Sequence, residues 1–185
     1  MEAAFNKEIA QIPAKQLVFI DEAGVNLGMT RTHARAPVGQ RAKAKKPKRQ
    51  SNISLIGAIK STEMCSLYAY DGPMNGERFL SFIDDHLAPK LKPGNVVVMD
   101  NVRFHHIKEV KERLEKVGAR VLYLPPYSPE KNPIEETWSL IKRRFRSAEA
   151  RTITAFVDTI RKALADVTEE KIKNFFKHAG YNLSC

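Results

Sequence analysis

Short apolar runs alternate with amphipathic stretches along the chain, and polar, glycine or proline residues separate them. This pattern predicts strands at 17–20, 53–59, 66–70, 96–99 and 121–124, with 25–29 as a hairpin partner of the first. Apolar residues at helical spacing predict helices at 79–87, at 107–117 and from residue 132 onward, including an apolar stripe over 153–167. Three antiparallel strands followed by alternating helices and strands predict an α/β domain with a mixed sheet covered by helices on both faces.

Composition narrows the class of protein. The 185 residues fit one domain, and 43% hydrophobic with 28% charged residues is ordinary globular usage. The sequence has no run of ~20 apolar residues that could span a membrane, and its N-terminus lacks the apolar region of a signal peptide. Its two cysteines cannot form a disulfide framework. We therefore expect no membrane partner and a cytoplasmic, nucleoid-associated location.

The distribution of charge indicates a nucleic acid as the candidate partner. The net charge is +10, and the segment 31–49 alone carries eight basic residues and no acid. Because glycine and prolines interrupt this segment, it predicts a basic loop (31–50) that contacts phosphates, although a solvated surface is the alternative. A second basic cluster falls on the predicted helix after residue 132. The candidate DNA-binding residues are Arg41, Lys43, Lys45, Lys46, Lys48, Arg49, Lys142 and Arg146.

Two aspartates directly follow apolar strands. Asp21 comes after 17–20 and Asp100 after 96–99. Ligands of open α/β sheets collect beyond the carboxyl ends of strands, so both side chains are candidates for one crevice. Each aspartate alone is as well explained as a turn former. Two carboxylates held close favour a cation between them, and hard oxygen ligands favour Mg²⁺ or Mn²⁺ over zinc.

A third acid, Glu135, lies at the predicted start of a helix. Taking about 100° per residue, Ile134, Trp138, Ile141 and Phe145 form one buried face of that helix. Glu135 then lies at the flank of this face, on the side of Lys142 and Arg146, whereas Glu136 points to the opposite, solvated side. Asn132 and Glu135 also have the spacing of a capping box, so helix capping and metal binding compete for the same carboxylate.

Three blocks of the sequence resemble the catalytic domain of DDE transposases, most closely the bacterial insertion-sequence members of the mariner superfamily. The blocks are VFIDEAG at 18–24, VVMDN at 97–101 with His105 five residues after Asp100, and LPPYSPEKNPIE at 124–135. The family's triad is Asp, Asp, Glu with about thirty-four residues between the last two. Thirty-four residues lie between Asp100 and Glu135 in this chain.

The resemblance implies a ribonuclease H-like fold, a mixed five-stranded sheet flanked by helices on both faces. It implies Asp21, Asp100 and Glu135 as catalytic residues and ligands of two Mg²⁺ or Mn²⁺ ions. Two such ions can activate water and stabilise the leaving oxygen in phosphodiester hydrolysis. The implied activity is cleavage of double-stranded DNA at transposon ends and strand transfer into target DNA, by a homodimer that holds two ends together.

The resemblance also predicts a division of the chain and further site residues. We expect a leader at 1–14 and a catalytic domain at 15–185 with C-terminal helices at 152–179, without the family's N-terminal helix-turn-helix domain. Asn101 and His105 are candidates for supporting the triad, with turn and helix-start roles as alternatives. Glu22 and Glu130, which lie near triad positions in the sequence, are further candidate metal ligands. Tyr127 is a candidate for stacking on a base, unless its loop packs against the sheet.

Two other functions fit the sequence. One is a structure-specific nuclease of the same fold that acts on RNA–DNA hybrids or branched DNA. The other is a non-catalytic, DNA-binding remnant of a transposase. All of these functions predict DNA affinity that falls steeply with salt, but only the remnant needs no metal.

Overall fold

The computed structural model describes residues 2–43 and 52–183. Its strands are β1 (Leu17–Asn26), β2 (Asn52–Ile59), β3 (Met64–Asp71), β4 (Val96–Met99) and β5 (Arg120–Tyr123). Its α-helices are α1 (Glu2–Ile9), α2 (Gly76–Phe82), α3 (Lys108–Lys116), α4 (Ile134–Ala148), α5 (Ile153–Ala165) and α6 (Glu169–His178). A π-helical turn, Ile83–Leu87, extends α2.

The five strands form one mixed sheet in the order β3-β2-β1-β4-β5. Strand β1 pairs antiparallel with β2, which in turn pairs antiparallel with β3. Strand β4 is parallel to both β1 and β5. The predicted mixed five-stranded sheet is confirmed. Since β1 and β4 are parallel neighbours, their carboxyl ends lie at the same edge of the sheet.

Helices cover both faces of this sheet, as predicted. On one face, the apolar side of α4 packs on the central strands through Ile134, Trp138, Ile141 and Phe145, joined by residues of α5 and α6. On the other face, α2 and α3 bury Phe79, Phe82, Val110 and Leu114 against the sheet. Because side chains alternate along a strand, each strand contributes to both cores.

Local sequence signals set several helix ends. The side chain of Asn75 accepts a hydrogen bond from the Arg78 amide at 2.9 Å, and that of Thr152 accepts one from the Ala155 amide at 3.2 Å. These side chains satisfy amide groups that have no partner inside their own helix. After α3, Gly118 adopts a φ of 74°, a left-handed conformation that glycine takes without steric cost.

The predicted hairpin between 17–20 and 25–29 is wrong. Strand β1 continues through Asn26, and its antiparallel partner is β2, with Asp21 opposite Gly57 and Asn26 opposite Asn52. The polar block in its middle looked like a turn, but Asp21 and Ala23 are buried on one side of the strand. Glu22 points to the other side, since successive side chains alternate.

Most of the apolar stripe predicted over 153–167 lies on α5, which ends at Ala165, and the stripe is buried only in part. Phe156 is buried, whereas Ile153 and Val157 are 64% and 47% exposed. Spacing alone predicts which residues share a helix face, and the width of the buried contact depends on the neighbouring elements. In the described ranges, every helix is too short or too polar to cross a bilayer.

Candidate active site

A cavity of about 390 Å³ opens at the edge of the sheet where β1 and β4 run parallel. The paired register sets Phe19 opposite Val98, so continuing it by two residues brings Asp21 beside Asp100. The first turn of α4 adds Glu135. The lining residues are Asp21, Asp100, Asn101, Val102, Leu124, Pro125, Pro126, Tyr127, Ser128, Pro129, Asn132 and Glu135. The three acids nominated from the sequence thus face one space.

Asp21 is the most deeply buried of these acids, at 8% exposed. Its Oδ2 accepts a hydrogen bond from Trp138 Nε1 at 3.1 Å. Burial is the largest cause, and the negative charges of Glu135, Glu22 and Asp100 act in the same direction, so that together they raise the pKa of Asp21 to about 8. Asp21 therefore lies in an excess of negative charge that a cation would relieve.

Asp100 is held by a buried histidine. Nδ1 of His105 lies 2.7 Å from Asp100 Oδ1, and Nε2 of the same ring lies 3.0 Å from Glu22 Oε1. Burial works against a charged imidazole, but the hydrogen bonds to both carboxylates prevail and raise the pKa of His105 to about 9. Burial likewise favours neutral Asp100, yet the hydrogen bond and charge of His105 lower the pKa of that carboxyl. His105 is therefore a buried cation that fixes Asp100.

This arrangement also accounts for Glu22. As the residue after Asp21 on a strand, Glu22 lies on the opposite face of the sheet and bonds His105 there. Its carboxylate stabilises the imidazolium instead of lining the cavity. Glu130, the other further candidate ligand, is exposed in the turn before α4 and is not among the residues that line the cavity.

Asn101 joins the ends of two strands. Its side-chain amide donates to the carbonyl oxygen of Leu124, which follows β5, and its Oδ1 lies 3.2 Å from His106 Nε2. The ring of His106 in turn stacks on Tyr123, with ring centroids 4.2 Å apart. The polar atoms of Asn101 thus join the loops that follow β4 and β5, and the residue also lines the cavity.

The start of α4 frees Glu135 for the cavity. The residue before the helix is Pro133, and no side-chain cap is formed there among the described residues. Asn132 is buried, and its Oδ1 has no hydrogen-bond partner within the described ranges. The capping box considered for Asn132 and Glu135 is therefore not formed.

Glu136 lies on a partly solvated side of α4, in agreement with the prediction, but it also makes a contact that was not predicted. Its side chain is 39% exposed and pairs with His178 of α6. Helical geometry alone could not predict this, because the contact depends on where α6 packs.

Comparison with known families gives a match to the DDE superfamily endonuclease family over residues 16–157, more than half of the chain. The chain belongs to this family. Triad spacing and fold agree with that membership. A search of curated protein sequences found no match.

Solved structures of Mos1 transposase are similar to this endonuclease domain. The paired-end complex with the left transposon end has a TM-score of 0.78 at 16% identity, covering 96% of this chain and 56% of that one. The Mos1 strand transfer complex has a TM-score of 0.73 at 16% identity, with 96% and 55% covered. The Mos1 catalytic domain with raltegravir and Mg has a TM-score of 0.69 at 12% identity, with 96% and 85% covered. The chain spans a little over half the length of the Mos1 chains in these two complexes. The predicted ribonuclease H-like fold is confirmed.

The donor set of this DDE endonuclease domain suits a hard divalent cation. Carboxylate oxygens are the ligands that Mg²⁺ and Mn²⁺ prefer, and the negative charges of Glu135, Glu22 and Asp100 add to burial in raising the pKa of Asp21. Among the described residues, no group of three or more His, Cys, Asp or Glu side chains is arranged closely enough to hold a metal ion. The three carboxylates nonetheless line one cavity, to which β1, the end of β4 and the start of α4 each bring one.

The basic residues nominated for DNA binding fall in three places. Arg41 and Lys43 are exposed and outside regular secondary structure, while Lys45, Lys46, Lys48 and Arg49 lie outside the described residues. Lys142 and Arg146 line a groove of about 390 Å³ on α4, together with Arg31, Thr32, His33, Ser139, Arg143 and Ser147. Glu135, Ser139, Lys142 and Arg146 are spaced four, three and four residues apart, so they follow one side of the helix.

Two features of the site were missed in the sequence. Trp138 was assigned only to the core, although a buried indole N–H needs an acceptor and Asp21 provides it. Gly57 received no role, although it lies directly opposite Asp21 and makes room for the indole. The only available signal was a glycine inside an otherwise apolar strand, which is typical of close approach by another group.

Asp21→Asn is expected to flatten the pH dependence of stability in metal-free buffer. The folded pKa of about 8 lies above the usual value of 3.8, so the folded state holds a proton that the unfolded state has lost between those values. The stabilisation that this protonated group contributes is fully present below about pH 4. It decreases by on the order of 1.4 kcal/mol per pH unit as the pH rises from there, and it is lost once the pH has passed through about 8. Asparagine stays neutral, so the variant should be the more stable protein at pH 8.

Chemical denaturation of both proteins in EDTA from pH 5 to pH 8.5 measures this difference. The control is Asp158→Asn, at an exposed aspartate of α5. Parallel stability profiles for wild type and Asp21→Asn would contradict the assigned environment of Asp21.

Proposed function

We propose that this chain is the catalytic domain of a transposase, which cleaves DNA strands at transposon ends and joins them to target DNA. The observation that carries this proposal is the convergence of Asp21, Asp100 and Glu135, from three separate elements, on one cavity. Membership of the DDE superfamily endonucleases supports a nuclease activity. On this proposal, residues 15–185 form the catalytic domain, with a basic loop at 31–50 and C-terminal helices at 152–179.

In the proposed reaction, Asp21, Asp100 and Glu135 would hold two Mg²⁺ or Mn²⁺ ions. When bound, such ions activate a water nucleophile and stabilise the leaving oxygen. Trp138 holds the carboxylate of Asp21 from one side of the sheet, and His105 holds that of Asp100 from the other. Because each aspartate already has a fixed partner, less reorientation is needed when ligands bind.

Both chemical steps use the same phosphodiester chemistry. Hydrolysis breaks the bond between phosphorus and the 3′ oxygen, which leaves as a free 3′-hydroxyl. In strand transfer, that hydroxyl attacks a phosphorus of target DNA, forms a new phosphodiester and displaces another 3′ oxygen. Each step breaks one phosphorus–oxygen bond and forms another, so neither an oxidant nor a covalent bond between DNA and protein is needed.

Similar structures support the choice of DNA and metal. They include Mos1 complexes described as containing a transposon end, a strand transfer complex, and complexes with Mg or Mn. The sequence blocks around the triad support placement in the bacterial insertion-sequence branch of the mariner superfamily. A homodimer that holds two double-stranded ends is part of the same proposal.

A substrate panel tests the reaction class. With Mg²⁺ or Mn²⁺, we expect cleavage of supercoiled and linear duplex DNA and little cleavage of an RNA–DNA hybrid of equal length. A preference for the hybrid or for branched junctions would replace the transposase proposal with that of a structure-specific nuclease.

The groove on α4 is the proposed track for the DNA backbone. With a rise of about 1.5 Å per residue, Lys142 and Arg146 lie about 10 and 16 Å along the helix from Glu135. On this proposal, the two cations would lie beside phosphates a few nucleotides from the cleaved one. The groove lining contains no acid.

Lys142→Ala and Arg146→Ala are each expected to weaken DNA binding several-fold. Each change removes one phosphate contact, so it should also reduce the slope of log K against log salt concentration by about one. Fluorescence anisotropy with a labelled duplex at several salt concentrations measures both quantities. The matched control is Arg144→Ala on the same helix, because Arg144 is paired with Asp166 through Nε at 2.8 Å. An equal loss in all three variants would contradict a specific track.

A further inference from the structure

A fully exposed aromatic ring stands at the rim of the acidic cavity. Tyr127 lines the cavity beside the carboxylates, and its exposure is 101%. Within the described ranges, its hydroxyl has no recorded hydrogen bond and its ring no aromatic contact. The packing of this loop against the sheet, considered from the sequence, therefore does not involve the Tyr127 ring. A single exposed tyrosine needs no partner by itself, but this ring lies at the cavity rim, where a ligand entering the cavity would pass.

The backbone at Tyr127 is held in an unfavourable conformation. Its φ of 57° lies in the left-handed region, which is rare for a bulky residue. Glu149, the other described non-glycine residue with positive φ, ends α4, where this conformation is common. Tyr127 ends no helix. Backbone strain of this kind persists where the surroundings impose it, and it clusters at ligand-binding sites.

The surroundings of Tyr127 are rigid enough to impose this conformation. Prolines at 125, 126 and 129 fix three φ angles of the loop. The loop is tied down on one side by the bond from Asn101 to the Leu124 carbonyl, and on the other by the bond from the Asn132 amide to the Pro129 carbonyl at 2.9 Å. The ring is therefore presented on a fixed support, and little order needs to be gained when a partner binds.

We infer that Tyr127 stacks on an unpaired nucleobase next to the phosphate that enters the acidic cavity. The inference rests on the proposed function, since a scissile phosphate facing the three carboxylates brings its neighbouring bases to the cavity rim. Both faces of a base inside a duplex are covered, so the base must come from a strand end, a frayed end or a flipped position. Stacking on tyrosine tolerates any base, because every base has a π face.

Two fluorescein-labelled probes of equal length test this inference: a blunt duplex, and a duplex with a five-nucleotide single-stranded extension that carries one 2-aminopurine. Ca²⁺ replaces Mg²⁺ so that binding is measured apart from cleavage. Tyr127→Ala is expected to weaken binding of the extended probe about fivefold to 100-fold and to lose the quenching of 2-aminopurine. Tyr127→Phe keeps the ring and should bind and quench as the wild type does.

Two further variants separate stacking from structural effects. Tyr127→Gly removes the ring and relieves the backbone, so it should bind as weakly as Tyr127→Ala while its melting temperature is not lowered. Tyr68→Ala removes a partly exposed tyrosine of β3, away from the cavity, and should leave binding unchanged.

Three results would overturn the inference. The first is Tyr127→Ala binding the extended probe within twofold of wild type. The second is Tyr127→Phe binding as weakly as Tyr127→Ala, which would assign the effect to the hydroxyl group. The third is a failure of the wild type to bind either probe, which would remove the proposed function as well. If the first or second result came with metal-dependent plasmid cleavage by the wild type, the inference alone would fail.

Discussion

Glu135→Gln is expected to reduce metal-dependent DNA cleavage by about a thousandfold or more. The substitution keeps the size of the side chain and removes one of the three carboxyl groups that face the cavity. A metal ion at such a site lowers the barrier by several kcal/mol, and about 4 kcal/mol corresponds to three orders of magnitude in rate. Initial rates of plasmid nicking, measured over a range of Mn²⁺ concentrations, give the comparison.

The matched control is Glu136→Gln at the next position of the same helix. Glu136 pairs with His178 and does not line the cavity with the aspartates, so its loss should change the nicking rate by less than about threefold. DNA binding by Glu135→Gln should equal or exceed that of wild type, because a negative charge near the phosphates is gone. If Glu135→Gln and Glu136→Gln nicked the plasmid at equal rates, the assignment of Glu135 to the active site would be contradicted.

Gly57→Ala is expected to destabilise the protein by about 1–3 kcal/mol and to impair cleavage with it. A Cβ at Gly57 would lie 2.8 Å from Cη2 of Trp138 and 2.7 Å from Cε of Met64. The methionine end can move, but the indole is 1% exposed and packed in the core. A displaced Trp138 can no longer donate to Asp21, which then keeps a buried carboxyl without this partner.

Trp138→Phe removes the same hydrogen bond while keeping an aromatic ring. Because Gly57 and Trp138 act on one contact, the double variant should lose less stability than the sum of the single variants. Chemical denaturation of the four proteins measures this coupling. The control is Gly24→Ala on β1, where an added Cβ meets nothing within 4 Å. A Gly24→Ala variant as unstable as Gly57→Ala would assign the effect to backbone flexibility instead.

Much of the fold could be predicted because the apolar pattern is local. The run at 96–99 is entirely buried, and the spacing of Ile134, Trp138, Ile141 and Phe145 matches the buried face of α4. Hydrophobic periodicity carries this information directly. The course of β1 beyond Ile20 was missed, since Asp21 and Glu22 look like turn residues until the partners that bury them are known.

The candidate site could be predicted as residues but not as contacts. Motif spacing nominated Asp21, Asp100 and Glu135, and the structure brings them to one cavity. The bond between His105 and Glu22 joins positions 83 residues apart, and that between Trp138 and Asp21 joins positions 117 apart. Contacts of this kind depend on how the sheet and helices assemble, and no local pattern encodes them.

The most direct test of the account is nicking of a supercoiled plasmid by the wild-type chain and by Asp100→Ala, each with Mg²⁺, with Mn²⁺ and with EDTA. The wild type is expected to nick the plasmid only when a divalent metal is present, and Asp100→Ala is expected not to nick it with either metal, although both proteins bind the plasmid. Nicking that persists in EDTA or in Asp100→Ala would contradict the assigned site. Absence of nicking by the wild type with either metal would contradict catalysis by this chain and favour a DNA-binding remnant.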